Sequence, residues 1–164
     1  MTDTLTAARL RELLAYNPET GIFTWLVSCG RRGAGTVTGS ALHDRGYLRI
    51  GIKGRRYFAH RLAFLYMTGE WPPAQIDHIN GRRDDNRWTN LRAATQSENF
   101  ANSGPRSRNR LGLRGVSFRM DKGRYQAQIC HNKQIHLGYY ATPEEAAAVY
   151  HDAARRLFGK FAKV

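Results

Sequence analysis

Two cysteines, Cys29 and Cys130, are all that the 164 residues contain. They stand far apart, and neither belongs to a Cys-x-x-Cys pair. That scarcity argues against a disulfide framework and against a structural zinc site. Both thiols are expected to be packing residues, and the chain is expected to be intracellular and cytoplasmic. Long hydrophobic runs are missing too: no stretch approaches the roughly 20 apolar residues that a membrane helix needs. Residues 1–14 are too polar and too charged for a signal peptide. Acidic residues are scarce, with 13 Asp and Glu against 26 Lys and Arg, a net charge of +13 and a pI near 10.4. A field of that size attracts polyanions, of which nucleic acid is the commonest soluble example; a solvated basic surface is the plainer alternative.

The charge is uneven. Residues 1–56 hold nine Lys and Arg against four Asp and Glu, residues 57–104 five against five, and residues 105–164 twelve against four. An electroneutral centre thus lies between two basic flanks. Flanks that neutralise phosphates around a centre that tolerates carboxylates suit a metal-dependent nuclease.

Along the chain, residues 4–16 read as a short helix with Leu10, Leu13 and Leu14 at helical spacing and Thr6 as its cap. Asn17 to Gly21 carries turn chemistry, Ile22 to Leu26 is β-prone, and residues 28–40 read as a loop. Tyr47 to Ile52 and Arg55 to Phe58 predict a hairpin about Lys53 and Gly54, and His60 to Thr68 a helix ended by Gly69. The stretch SGPRSRNRLGL, residues 103–113, is the best linker, with 103–111 the linker proper. Beyond it, alternation predicts three short strands: Val116 and Phe118; Tyr125, Ala127 and Ile129; Ile135 and Leu137. Their turns fall at Asp121 to Gly123 and His131 to Lys133. A helix follows, capped by Thr142 with Glu145 completing the capping box, and with Ala146, Val149, Tyr150, Ala153, Ala154 and Leu157 on one stripe. The fold class is therefore α+β.

The other face of that sheet carries Arg119, Arg124, Gln126, Gln128 and His136. Arg can bind guanine and Gln can pair with adenine, although most polar faces of small sheets are simply solvated. RGVSFRMDKGRYQAQI and HLGYYATPEEAAAVYHDAARRLFG resemble the APETALA2/ethylene-response-factor DNA-binding domain over about 50 residues. The match is carried by Arg114, Gly115 and Val116, by Tyr125, Ala127 and Ile129, and by Leu137, Gly138, Tyr140 and Thr142. The resemblance implies a sheet lying in the major groove of double-stranded DNA, with contacts from Arg114, Arg119, Arg124, Gln126, Gln128 and His136. Phe118, Tyr125 and His136 depart from the common pattern, so no target sequence carries over.

The centre, IDHINGRRDDNRWTNLRAATQSENFAN, begins with the alternating Ile76, Asp77, His78 and Ile79, a strand entering a tight Asn80-Gly81 turn. Leu91 to Ala94 reads as the return strand, and Thr95 with Glu98 as a capping box that opens a helix at Gln96. This β-β-α order is expected to bring Asp77, His78 and Asn99 together. Asp and Asn offer hard oxygens, which suit Mg²⁺ or Mn²⁺ better than Zn²⁺. A neutral imidazole beside such an ion can take a proton from water attacking a phosphodiester. Singly, each residue has a plainer reading: an exposed loop histidine, a turn-forming Asn90, a surface Asn99. Asp84 and Asp85 read as a solvated loop, and His60 as a structural histidine at a helix start.

Together, DHINGRRDDNRWTNLRAATQSEN, residues 77–99, resembles the HNH, or ββα-metal, endonuclease family. YNPETGIFTW, GYLRI and HRLAFLYMTGEWP resemble the lead-in of its phage and intron-type members, so that about 85 residues are covered. The resemblance implies His78 as general base, Asn90 as the residue that holds the loop and orients His78, and Asp77 and Asn99 as ligands of one divalent ion. Asn99 stands where a His is common, as in the H-N-N variant of phage homing nucleases.

The reading is a DNA-nicking endonuclease with four parts: residues 1–74 as the N-terminal part of the nuclease, 75–102 as the HNH motif, 103–111 as a basic linker and 112–164 as the DNA reader. A monomer is the default, with a dimer left open, and the resemblance implies a bacterial or phage-infected cell. Two alternatives stay open: a DNA-binding regulator with an inactive nuclease domain, and a protein that binds or cuts RNA.

Overall fold

A computed structural model describes residues 5–28, 32–39, 41–42, 46–104 and 109–163. The chain is α+β and divides into two compact units, Met1–Ala94 and Thr95–Val164. Cys29 and part of the expected linker lie outside the described residues.

The first unit opens with α1, Ala7–Leu13, where the Thr6 hydroxyl accepts from the Arg9 amide as the expected cap. The helix is shorter than residues 4–16. Leu14 is already the first residue of β1, Leu14–Asn17, which pairs antiparallel with β2, Ile22–Trp25. Pairing overrides the helical spacing there because alternation buries Leu14 and Tyr16 on one face of the strand. Within the expected loop 28–40, β3, Val37–Thr38, adds a third strand to β2. A second sheet joins β4, Ala41–Leu42, to β5, Leu48–Ile52, and β6, Arg55–Phe58. Lys53 and Gly54 turn β5 into β6 with φ of 46° and 76°, the paired positive values of a type I′ hairpin. Then α2, Ala59–Thr68, ends at Gly69, whose amide reaches the Leu65 carbonyl at 3.0 Å. Leu10, Leu14, Phe23, Trp25, Ile50, Leu62 and Leu65 are almost wholly buried in one core. Over it lie β7, Gln75–His78, and β8, Leu91–Ala94, an antiparallel pair; a 3₁₀ turn at Trp88–Asn90 leads into β8.

The second unit starts with α3, Gln96–Ala101, which carries the expected capping box between Thr95 and Glu98. β9, Val116–Arg119, β10, Arg124–His131, and β11, Lys133–Tyr140, form an antiparallel sheet in the order β11-β10-β9. It packs on α4, Pro143–Phe158, through Val116, Ala127, Ala146 and Ala147. Thr142 and Glu145 complete the capping box of α4. The buried stripe of α4 is turned from the expected one: Ala147 and Phe158 are inside, while Leu157 is 37% exposed. A bulge between Ala127 and Gln128 shifts the register of β10 on β11, and Phe118, 48% exposed, packs edge-on against Tyr125 at 5.0 Å. Cys130 is exposed, not packed as expected, because it sits on the outward side of β10. Among the described residues no helix is long and apolar enough to cross a membrane.

Leu62 is a core residue of α2 with no exposed surface. Leu62→Ala is expected to destabilise the first unit by about 2–5 kcal/mol, read from the urea midpoint of its unfolding.

Candidate active site

The site grows from the pairing of β7 with β8. Register places Asp77 opposite Arg92 and His78 opposite Leu91. Asp77 is 3% exposed, and a carboxylate so deep needs a counter-charge. Arg92 supplies it: Nε and Nη2 both meet Asp77 Oδ2 at 2.7 Å. His78 is 4% exposed. Its Nε2 lies 3.4 Å from Asn86 Oδ1, and its ring meets His60 edge-on at 5.1 Å and Tyr47 at 5.9 Å. The amide nitrogen of Asn86 donates to the Asp84 carbonyl at 3.2 Å, so its oxygen faces His78. This arrangement matches the tautomer with hydrogen on Nε2, which puts the basic lone pair on Nδ1. Burial lowers the His78 pKa below 6.5, against the raising influence of Asn86 and Asp77, so the ring is neutral at neutral pH.

Asn90 closes the loop between β7 and β8. Its Oδ1 accepts from the Asn80 amide at 3.0 Å, and its Nδ2 donates to the Asp85 carbonyl at 2.7 Å. The partner seen on the His78 ring is Asn86, which sequence reasoning passed over. Asn86 is 1% exposed, and Tyr16 Oη donates to its carbonyl at 2.7 Å. The available signal was a short polar side chain inside an otherwise charged loop.

Asp85 is not the solvated loop residue expected of it. It accepts Asn80 Nδ2 at 2.7 Å and a two-point contact from Arg87 at 2.9 and 2.6 Å, and Arg87 holds its pKa well below the carboxylate range. Asp84 does face water and pairs with Arg82 at 3.5 Å. His60 starts α2 as expected, but its ring is in the site, stacked on Phe58 at 5.4 Å. Its Nδ1 is buried with no hydrogen-bond partner, and burial pushes its pKa down to about 3.

The remaining expected site residues belong to the second unit. Asn99 is half-buried on the first turn of α3, its amide bonded to the Thr95 carbonyl at 3.0 Å. On the outer sheet face, Gln126 Nε2 lies 3.1 Å from His136 Nδ1, Gln134 donates to Gln128 at 2.5 Å, and Arg119 reaches Asp121 at 3.0 Å and Gln126 at 3.5 Å. Arg124 stands opposite Arg119 across β10 and β9. Arg114 is turned inward: its guanidinium donates to the carbonyls of Phe100, Ala101 and Ser103 and lies over the Phe100 ring.

Among the described residues, no three His, Cys, Asp or Glu side chains gather into a metal cluster. The donor set at Asp77 is instead one clamped carboxylate beside a neutral imidazole. That chemistry fits a hard divalent ion completed by water and phosphate, and does not fit a protein-filled zinc site.

A strand–loop–strand that buries an Asp-His pair behind asparagine clamps has the form of a nuclease motif, and similarity to known proteins agrees with it. Residues 57–101 match the family model described as HNH endonuclease, and so carry an HNH endonuclease domain. The chain is also similar to an uncharacterized HNH endonuclease of Acanthamoeba polyphaga mimivirus, 34% identical over 106 residues. That alignment covers 63% of this chain and 54% of the viral protein, so the match spans about half of the relative's length.

Two outcomes are expected. His60 has a folded pKa below its ordinary value, so its share of stability is complete above pH 6.5 and is lost as pH falls from 6.5 towards 3. Urea midpoints at about pH 7 and about pH 5 should differ by more in the wild type than in His60→Phe, with a slope on the order of 1 kcal/mol per pH unit. The second concerns Gly21, at φ 73°, where an added Cβ would sit 2.4 Å from the Asn86 carbonyl carbon. The turn of which Gly21 is part, whose Pro18 carbonyl accepts the Trp88 amide at 2.9 Å, buttresses the Asn86 loop. Gly21→Ala should displace the loop, seen as a shifted His78 ring resonance and a stability loss of more than about 1 kcal/mol.

Proposed function

We propose that the chain is a metal-dependent DNA endonuclease that nicks one strand, of the homing H-N-N type. The observation that carries this is His78, buried, neutral and held by Asn86 beside the clamped carboxylate of Asp77. In this reading His78 Nδ1 takes the proton of a water as it attacks the phosphorus, and the imidazolium returns that proton to solvent once product departs. Burial favours this base, because the neutral form is the one present before attack. Asn90 keeps the loop closed and Asn86 holds the ring. HNH nucleases generally use a divalent metal. Asp77 is the proposed donor from the first unit, and Asn99 is proposed as the second ligand from the resemblance to the H-N-N variant alone. Such an ion, Mg²⁺ or Mn²⁺, supplies neutralisation of charge on the phosphate and leaving oxygen when bound. One motif per chain makes single-strand cutting by a monomer the default.

The second unit is the reader in this proposal. A polar sheet face bearing Arg119, Arg124, Gln126, Gln128 and His136 over an alanine-rich helix supports the APETALA2-like assignment, with double-stranded DNA as partner. Arg114 serves within the unit instead, since it binds three carbonyls at the end of α3.

The test is cleavage of supercoiled plasmid DNA with Mg²⁺ or Mn²⁺ by wild type and His78→Ala. Metal-dependent nicked circles are expected, with the rate reduced on the order of 10²–10⁴-fold in the variant. Because burial depresses the His78 pKa, the acid limb of the rate profile should lie below the ordinary histidine range. DNA that is bound but never cut would instead make the chain a binding protein with an inactive nuclease domain, and equal nicking by both proteins would place the base elsewhere.

A further inference from the structure

The β5–β6 hairpin sorts its side chains by alternation. Ile50, Ile52 and Tyr57 turn into the core of the first unit. Arg49, Gly51, Arg56 and Phe58 share the other face, because Arg49 pairs with Phe58 and Gly51 with Arg56. Arg49 and Arg56 line a cleft of about 250 Å³ together with Arg32, Thr38 and Gly39. Gly51, which lies between them on that face, contributes no side chain to the cleft. Arg49 is half-buried and lies over the Phe58 ring at 4.7 Å, which fixes one wall.

Three guanidinium groups on one concave surface repel one another unless an anion is shared among them. The described carboxylates of this unit do not serve. Glu12 is tied to Arg9, Asp77 to Arg92, Asp84 to Arg82 and Asp85 to Arg87, and Glu19 and Glu70 form no ion pair with the cleft arginines. Among the described residues no ion pair is formed by Arg32, Arg49 or Arg56. Guanidinium forks match the oxygens of a phosphodiester, and charge-assisted pairs of this kind are the stronger class of hydrogen bond. The cleft is also joined to the cutting site inside the same unit. Phe58 stacks on His60, His60 meets His78, and Tyr47 touches all three rings.

We propose that Arg32, Arg49 and Arg56 form a phosphate-binding cleft that grips the DNA backbone beside the scissile phosphate. The cleft positions substrate and does not enter the chemistry. It rests on the nuclease reading for the identity of the polyanion.

The experiment measures binding of the full chain to a labelled duplex of about 30 base pairs, in EDTA so that nothing is cut, across a salt series. Arg49→Gln/Arg56→Gln is compared with Arg9→Gln/Arg156→Gln, which removes the same charge from exposed arginines already paired with Glu12 and Asp152. The cleft variant should lower the slope of log affinity against log salt by about 0.9 for each phosphate no longer gripped, so by nearly 2, and the control should leave it unchanged. Arg49→Lys/Arg56→Lys, which keeps the charges on stems of similar length, should restore most of the slope and so separates a missing charge from a misfolded hairpin. An unchanged slope in the cleft variant, or an equal loss in the control, overturns the proposal. Plasmid nicking by the wild type is the separate readout: its absence overturns the nuclease reading, whereas intact nicking with an unchanged slope overturns the cleft alone.

Discussion

The buried Asp77–Arg92 pair is the contact on which the rest of the first unit's site depends. An unpaired carboxylate at that depth would cost several kcal/mol, and loss of one partner of a buried pair typically costs about 3–5 kcal/mol. The pair is directly cross-strand, so it holds β7 and β8 in one register. A slip of one residue would turn Asp77 to the opposite face from Arg92. The same register puts His78 opposite Leu91 and leaves Asn90 at the mouth of the loop, where the Ile79 amide meets its carbonyl at 2.9 Å. Charge pairing, strand register and placement of the imidazole are one constraint seen from three sides.

Around that constraint stands a set of short polar side chains. Asn80, Asn86 and Asn90 each bind backbone groups of the loop, and Asp85 is drawn in by Asn80 and Arg87. Amides suit this work because each carries donors and an acceptor and no charge that must be neutralised in a buried place. The loop is therefore held by many modest bonds, and its far side is braced by Tyr16 and by the Asn17–Gly21 turn. Such a loop fixes the orientation of the His78 ring.

The second unit solves a different problem, the stability of a small sheet on one helix. Two capping boxes satisfy helix starts at Thr95 and Thr142, and Arg114 ties three carbonyls at the end of α3 to the segment that leads into β9. Alanines at 127, 146 and 147 let helix and sheet approach closely. Its outer face is a lattice of Arg, Gln and His hydrogen bonds.

Local chemistry was legible where it acts over a few residues. Capping boxes, the Lys53-Gly54 hairpin, the Gly69 stop and the alternation of the last three strands all follow from short-range sterics and hydrogen bonding, and all appear in the structure. The closeness of Asp77 and His78 to a closing Asn90 was legible for the same reason, through strand, turn and return strand. What the chain order hid was long-range. Leu14 joined a strand because Trp25 pairs with it, and Leu157 yielded its place in the core to Phe158 as α4 packed on the sheet. Asn86, His60 and Tyr47 entered the site through contacts that only tertiary packing can make, because nothing in their neighbours in sequence reports the ring or carbonyl they meet. Residue order alone was enough for the caps, the turns and the Asp-His pair, since each rests on groups a few positions apart. The groups that hold that pair, and the arginines that share a cleft beside it, come from distant parts of the chain and meet only once the core has closed.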